Sequence, residues 1–87
     1  MTYSVLFTKS ARKELDRLPD DVAERCLEAL GYLSQNPFSR VLQVKKLAGP
    51  DALYRLRIGD YRIVYEIQKH QLIVLVIKIG HRGDVYR

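Results

Sequence analysis

The chain has 87 residues, of which 47% are hydrophobic and 29% charged, with a net charge of +5 and a single cysteine. A chain of this size buries roughly 60–65% of the surface its unfolded form exposes, so a single domain spanning the whole sequence is expected. No apolar run approaches the ~20 residues that cross a bilayer, the opening MTYSVLFTKSARKEL is too short and polar for a secretion signal, and one cysteine excludes an internal disulfide framework. A cytoplasmic chain with no membrane partner is the expectation.

Residues 3–7 (YSVLF) form a short apolar run of strand formers. Thr8 or Ser10 then caps a helix on which Ala11, Leu15 and Leu18 recur at helical spacing, while Arg12, Lys13, Glu14, Asp16 and Arg17 face water. Pro19 ends that helix, and Asp20 and Asp21 suit the first turn of another because carboxylates offset the unpaired N–H groups there. Val22, Cys26, Ala29, Leu30 and Leu33 make one stripe on the second helix, which Asn36-Pro37 terminates. Cys26 on that stripe reads as a small core residue.

Residues 40–52 (RVLQVKKLAGPDA) read as irregular, with Lys45-Lys46 followed by the turn signal Gly49-Pro50-Asp51. Residues 53–58 alternate, setting Tyr54, Leu56 and Ile58 on one face and Leu53, Arg55 and Arg57 on the other. Gly59-Asp60 suits a two-residue hairpin loop of type II′, with Gly supplying a positive φ at its first position. That register pairs Ile58 with Tyr61, Arg57 with Arg62, Leu56 with Ile63 and Arg55 with Val64. Tyr54, Tyr61 and Tyr65 then fall on the core face. Residues 72–77 (LIVLVI) are apolar throughout, as in a strand buried on both sides, and Gly80 is expected to end it. The fold class that follows is α+β: an N-terminal strand, a helical hairpin and a three-stranded antiparallel meander, with the helices on one sheet face.

The charge is uneven. Residues 1–39 carry five Lys/Arg against six Asp/Glu, and residues 40–87 carry ten against four. Clustered basic charge is the footprint of a polyanion partner, with a solvated basic face or an acidic protein partner as the plainer alternatives. Like charges opposite each other on neighbouring strands destabilise a hairpin by up to about 1 kcal/mol. Arg57 facing Arg62 therefore calls for an anion, and Asp60, Glu66 and Asp84 are too few to neutralise Arg55, Arg57, Arg62, Arg82 and Arg87. The forked donors of guanidinium match phosphate oxygens. Tyr86, among basic residues near the end of the sequence, suits stacking on an unpaired base or bonding a ribose hydroxyl. His70 and His81 lie far apart in sequence and Cys26 has no second thiol, so no metal site or cofactor is indicated. Any chemistry would be acid–base and electrostatic, on a phosphodiester.

The segment KLAGPDALYRLRIGDYRIVYEI, the closing VLVIKIGHRGDVYR and the opening TYSVLFTKSARKELDRLP together resemble the RelE/ParE superfamily of toxin–antitoxin toxins, the RelE branch best. The resemblance implies a ribonuclease that cuts messenger RNA on the ribosome without metal, by attack of a ribose 2′-OH on the adjacent phosphate. It implies that Arg62 stabilises the charged phosphorus, that Arg82 stabilises it or protonates the leaving oxygen, and that Tyr86 stacks on the base or orients the 2′-OH. Arg55 and Arg57 stand where well-known members have lysines, one of them proposed as the base. Arginine, with a pKa above about 12, is a poor proton acceptor. His81, Lys45 or Lys46 is then the candidate base, and Arg55, Arg57, Arg87, Lys45 and Lys46 the phosphate-binding set. The C-terminal helix of some members has no counterpart in this sequence. The implied partners are a cognate antitoxin, ribosome-bound mRNA and operator DNA through the antitoxin alone. A toxin of ParE type, poisoning DNA gyrase without cutting nucleic acid, is the alternative.

Overall fold

A computed structural model describes residues 2–37, 42–47 and 53–81. Strand β1 (Ser4–Phe7) leads to helix α1 (Lys9–Asp16) through Thr8, whose hydroxyl accepts from the Ala11 amide at 3.1 Å. The same hydroxyl donates to the Ile77 carbonyl at 3.1 Å, so the cap that starts the helix also ties it to the sheet. Helix α2 (Asp20–Gln35) starts after Pro19 without a side-chain cap, and Asp20 and Asp21 occupy its first turn as expected.

Four further strands complete one sheet: β2 (Val44–Lys46), β3 (Leu53–Ile58), β4 (Tyr61–Gln68) and β5 (Ile73–His81). Their order is β1-β5-β4-β3-β2, with β1 parallel to β5 and all other pairs antiparallel. Ala11 and Leu15 of α1 and Val22, Cys26, Leu30 and Leu33 of α2 pack on Leu56, Ile63, Tyr65, Val74, Val76 and Ile79. Each large apolar side chain so buried contributes about 1.5–3 kcal/mol, which is what holds both helices to one face. No helix among the described residues is long and apolar enough to cross a membrane.

Three details differ from the sequence expectation. The segment expected to be irregular contains β2, because Val44, Lys45 and Lys46 pair with Leu56, Arg55 and Tyr54. The last strand continues through Gly80 to His81, since β4 pairs with it to the end and a ladder bond needs no side chain. Its outward residues Ile73, Leu75 and Ile77 are half-buried rather than buried, the helices covering only the face that carries Val74 and Val76. A bulge interrupts the β4–β5 ladder, where Val64 pairs with Lys78 and Tyr65 with Val76, leaving Ile77 as the extra residue. Strand β1 pairs with β5 only as far as Val76. Beyond it Glu14 of α1 takes over the edge, its carboxylate accepting from the Ile79 amide at 3.0 Å and standing 3.9 Å from the Lys78 ammonium.

Candidate functional site

The β3–β4 hairpin has the register expected from the sequence: Ile58 with Tyr61, Arg57 with Arg62, Leu56 with Ile63 and Arg55 with Val64. Gly59 has φ +57°, while Asp60 stays at negative φ, the pattern of a loop whose first position alone needs left-handed backbone. Since Leu56 and Ile63 lie in the core, Arg57 and Arg62 point away from the helices. Lys45 on β2 pairs with Arg55 and extends the same face. The fold thus lines up Lys45, Arg55, Arg57 and Arg62 across three adjacent strands.

The two central arginines differ sharply in exposure. Arg57 is exposed, and its Nε donates to the Gly59 carbonyl at 3.3 Å, which folds the guanidinium back toward the turn. Arg62 is only 8% exposed, the one charged side chain classed as buried among the described residues. Its Nη1 donates to the Tyr61 carbonyl at 3.3 Å, and its buried Nε has no hydrogen-bond partner. On the other side Arg62 pairs with Gly80, so the residue directly opposite it on β5 carries no side chain. Neither Arg57 nor Arg62 belongs to an ion pair among the described residues. A buried, uncompensated cation with an unused donor costs several kcal/mol unless an anion arrives. The arrangement is therefore suited to holding a phosphate, or the extra negative charge of its transition state.

The candidate proton acceptors separate between the two faces. Lys45 shares the arginine face. Lys46 pairs with Tyr54 on the helix side, and His81 pairs with Tyr61 there, with ring centroids 5.2 Å apart and planes 84° apart. His81 is thus not brought together with Arg57 and Arg62. Arg82, Tyr86 and Arg87 lie outside the described residues. Cys26 is fully buried, and burial pushes its thiol up in pKa against a smaller opposing effect of Arg25, so it is a packing residue as expected. Tyr65 is fully buried and stacks on Tyr54 at 5.7 Å, with Tyr61 packed against the same core.

Two residues given no role from the sequence border this site. One is Gly80. The other is Arg25 of α2, whose guanidinium nitrogens lie 3.6 and 3.7 Å from where a Cβ on Gly59 would stand. The spacing of Arg25, Ala29 and Tyr32 along one helix face was the available signal for it.

Comparisons with known proteins show the family and the fold. Residues 5–86 match the family model described as the ParE toxin of the type II toxin–antitoxin system parDE. The chain is 35% identical to Toxin RelG of Mycobacterium tuberculosis over 89 residues, covering 100% of this chain and 99% of that protein. It is 31% identical over 90 residues to the mRNA interferase toxin RelE of Escherichia coli K12, covering 99% and 92%. Among solved structures, the archaeal RelE–RelB complex from Pyrococcus horikoshii OT3 contains a chain of the same fold with a TM-score of 0.84 and 34% identity, over 98% of this chain and 100% of that one.

Proposed function

The chain belongs to the RelE/ParE superfamily of type II toxin–antitoxin toxins, and on that premise we propose that it is a metal-independent endoribonuclease acting on ribosome-bound mRNA and thereby inhibiting translation. The observation that carries this reading is the Arg57–Arg62 pair. Like charges held opposite each other, one of them buried without an ion-pair partner among the described residues, are a cost to the fold that binding a phosphodiester relieves.

In the proposed reaction a base accepts the 2′-OH proton while O2′ bonds to the adjacent phosphorus. The P–O5′ bond breaks and the departing oxygen takes a proton, leaving a 2′,3′-cyclic phosphate and a 5′-OH. Arg62 holds the non-bridging oxygens as negative charge grows, and Arg57 clamps them from the exposed side. Lys45 is the base we favour, because it alone of the three candidates shares the arginine face. Arg55 steers the backbone. Arg82 and Tyr86 keep the roles that family resemblance gives them, Arg82 stabilising the charged phosphorus or protonating the departing oxygen and Tyr86 stacking on the base or orienting the 2′-OH. A cognate antitoxin neutralises the chain, as suggested by the solved complexes of relatives from Pyrococcus horikoshii and Escherichia coli with RelB.

Primer extension on a defined mRNA after brief induction tests the reading. Translation-dependent cuts are expected for the wild type, and Arg62→Ala reduces cutting by about 10²–10³, the loss typical of one removed transition-state donor. Intact mRNA accompanied by DNA double-strand breaks would instead establish the gyrase-poisoning alternative.

A further inference from the structure

A groove of about 730 Å³ opens beside the β3–β4 turn, between α2 and the chain leading into β2. Arg25, Glu28 and Tyr32 line its helix side, and Leu42, Arg57 and Gly59 its sheet side. We propose that this groove is a second nucleotide subsite, holding a phosphate and base of the same single-stranded RNA as the strand leaves the Arg57–Arg62 site.

Gly59 is where two cationic side chains meet. Arg57 donates to its carbonyl, and the Arg25 guanidinium lies within van der Waals contact of where its Cβ would stand. Two guanidiniums from different elements converge on one residue, and neither has an ion-pair partner among the described residues. Among the described residues Glu28 is the single carboxylate lining the groove, against the two guanidiniums of Arg25 and Arg57. Tyr32 is 39% exposed, and Ala29 and Leu42 supply apolar surface. Phosphate donors beside an accessible aromatic ring are what sequence-tolerant single-strand binding uses. Continuity favours RNA over an acidic protein segment, because Arg57 belongs both to the face of Arg62 and to the groove. The path thus turns around the hairpin tip without leaving positive potential.

The proposal rests on the nuclease reading, yet the two are separable. Binding of the full chain to a short single-stranded RNA, made uncleavable by a 2′-deoxy nucleotide at the cut site, is measured by anisotropy across a salt series. Loss of one phosphate contact lowers the log–log salt slope by about 0.7, so Arg25→Gln should shrink the affinity change over a fourfold salt range by roughly threefold. Tyr32→Ala should weaken binding by roughly fivefold or more at fixed salt, and Tyr32→Phe should keep it, since the ring is what stacks. Matching thermal melts establish that the variants are folded.

Wild-type slope and affinity in both Arg25→Gln and Tyr32→Ala overturn the subsite, as does a wild type that does not bind the RNA. Unchanged RNA binding with lost affinity for an acidic antitoxin peptide would assign the groove to protein and overturn it equally. An Arg25-dependent slope in a chain that never cuts mRNA upholds the groove and removes the nuclease reading. The reverse combination removes the groove alone.

Discussion

His81 and Tyr61 sit edge to face across β4 and β5, with ring centroids 5.2 Å apart, on the opposite side of the sheet from Arg62. Edge-to-face aromatic pairs contribute about 0.5–1.5 kcal/mol. His81→Gln should therefore lower stability by about that amount, read by urea denaturation, and leave the shape of the single-turnover pH–rate profile unchanged. Lys45→Met should remove one limb of that profile and slow cleavage by about 10²–10⁴, the usual contribution of a general base. A lost limb in His81→Gln with a normal profile in Lys45→Met would reverse the assignment.

The Arg57–Arg62 pair predicts a trade between function and stability. Arg57→Glu places opposite charges across the strands and should raise the urea midpoint by the equivalent of about 0.5–1 kcal/mol. The same change removes a phosphate clamp and should reduce cleavage severely. A destabilised variant would mean that the arginines are already neutralised in the free chain.

Tyr65 is fully buried, and its hydroxyl has no hydrogen-bond partner among the described residues. Tyr65→Phe should be neutral or stabilising by up to about 1–3 kcal/mol, because it removes an unsatisfied group and little volume. Burial first, and the neighbouring Tyr54 second, push the phenol well above its ordinary pKa. The folded chain therefore favours the neutral form. This contribution to stability is complete below pH ~10 and is lost progressively above it. Alkaline titration followed by tyrosinate absorbance should show one of the six tyrosines ionising only with unfolding.

Glu14 bonds the Ile79 amide at 3.0 Å on the β5 edge that β1 leaves uncovered. Hydrogen bonds to a charged group contribute about 1.5–3 kcal/mol when shielded, and partial exposure reduces this toward about 1. Glu14→Ala should cost about that much and speed hydrogen exchange at Ile79. Glu14→Gln, which retains an acceptor, should cost less.

The hairpin was readable because alternation and a Gly-Asp turn both specified one register, and the helical stripes were readable because Ala11, Leu15, Val22, Cys26, Leu30 and Leu33 keep helical spacing. Strand β2 was not, since three residues with two lysines carry too little periodicity and are held by pairing with β3. The parallel pairing of β1 with β5 was equally hidden, as it depends on where the helical hairpin returns the chain. The charged face could be read from strand period, but the burial of Arg62 could not, because it comes from tertiary surroundings that strand period does not encode. Arg25 is not legible in the sequence because its significance lies in meeting Gly59, 34 positions away.

The extra residue at Ile77 gives the site its handedness. Val74 and Val76 face the helices, and an uninterrupted strand would send Lys78 and Gly80 the same way and turn Ile79 and His81 outward. The bulge reverses this parity. Ile79 joins the core, Gly80 comes to lie beside Arg62, and His81 lands next to Tyr61. Whether Ile77 bulges out or joins the ladder thus decides whether Gly80 or the branched Ile79 is paired with Arg62. Deleting Ile77 would remove the bulge yet leave Lys78, Ile79, Gly80 and His81 on their present sides, whereas taking Ile77 into the ladder would reverse all four.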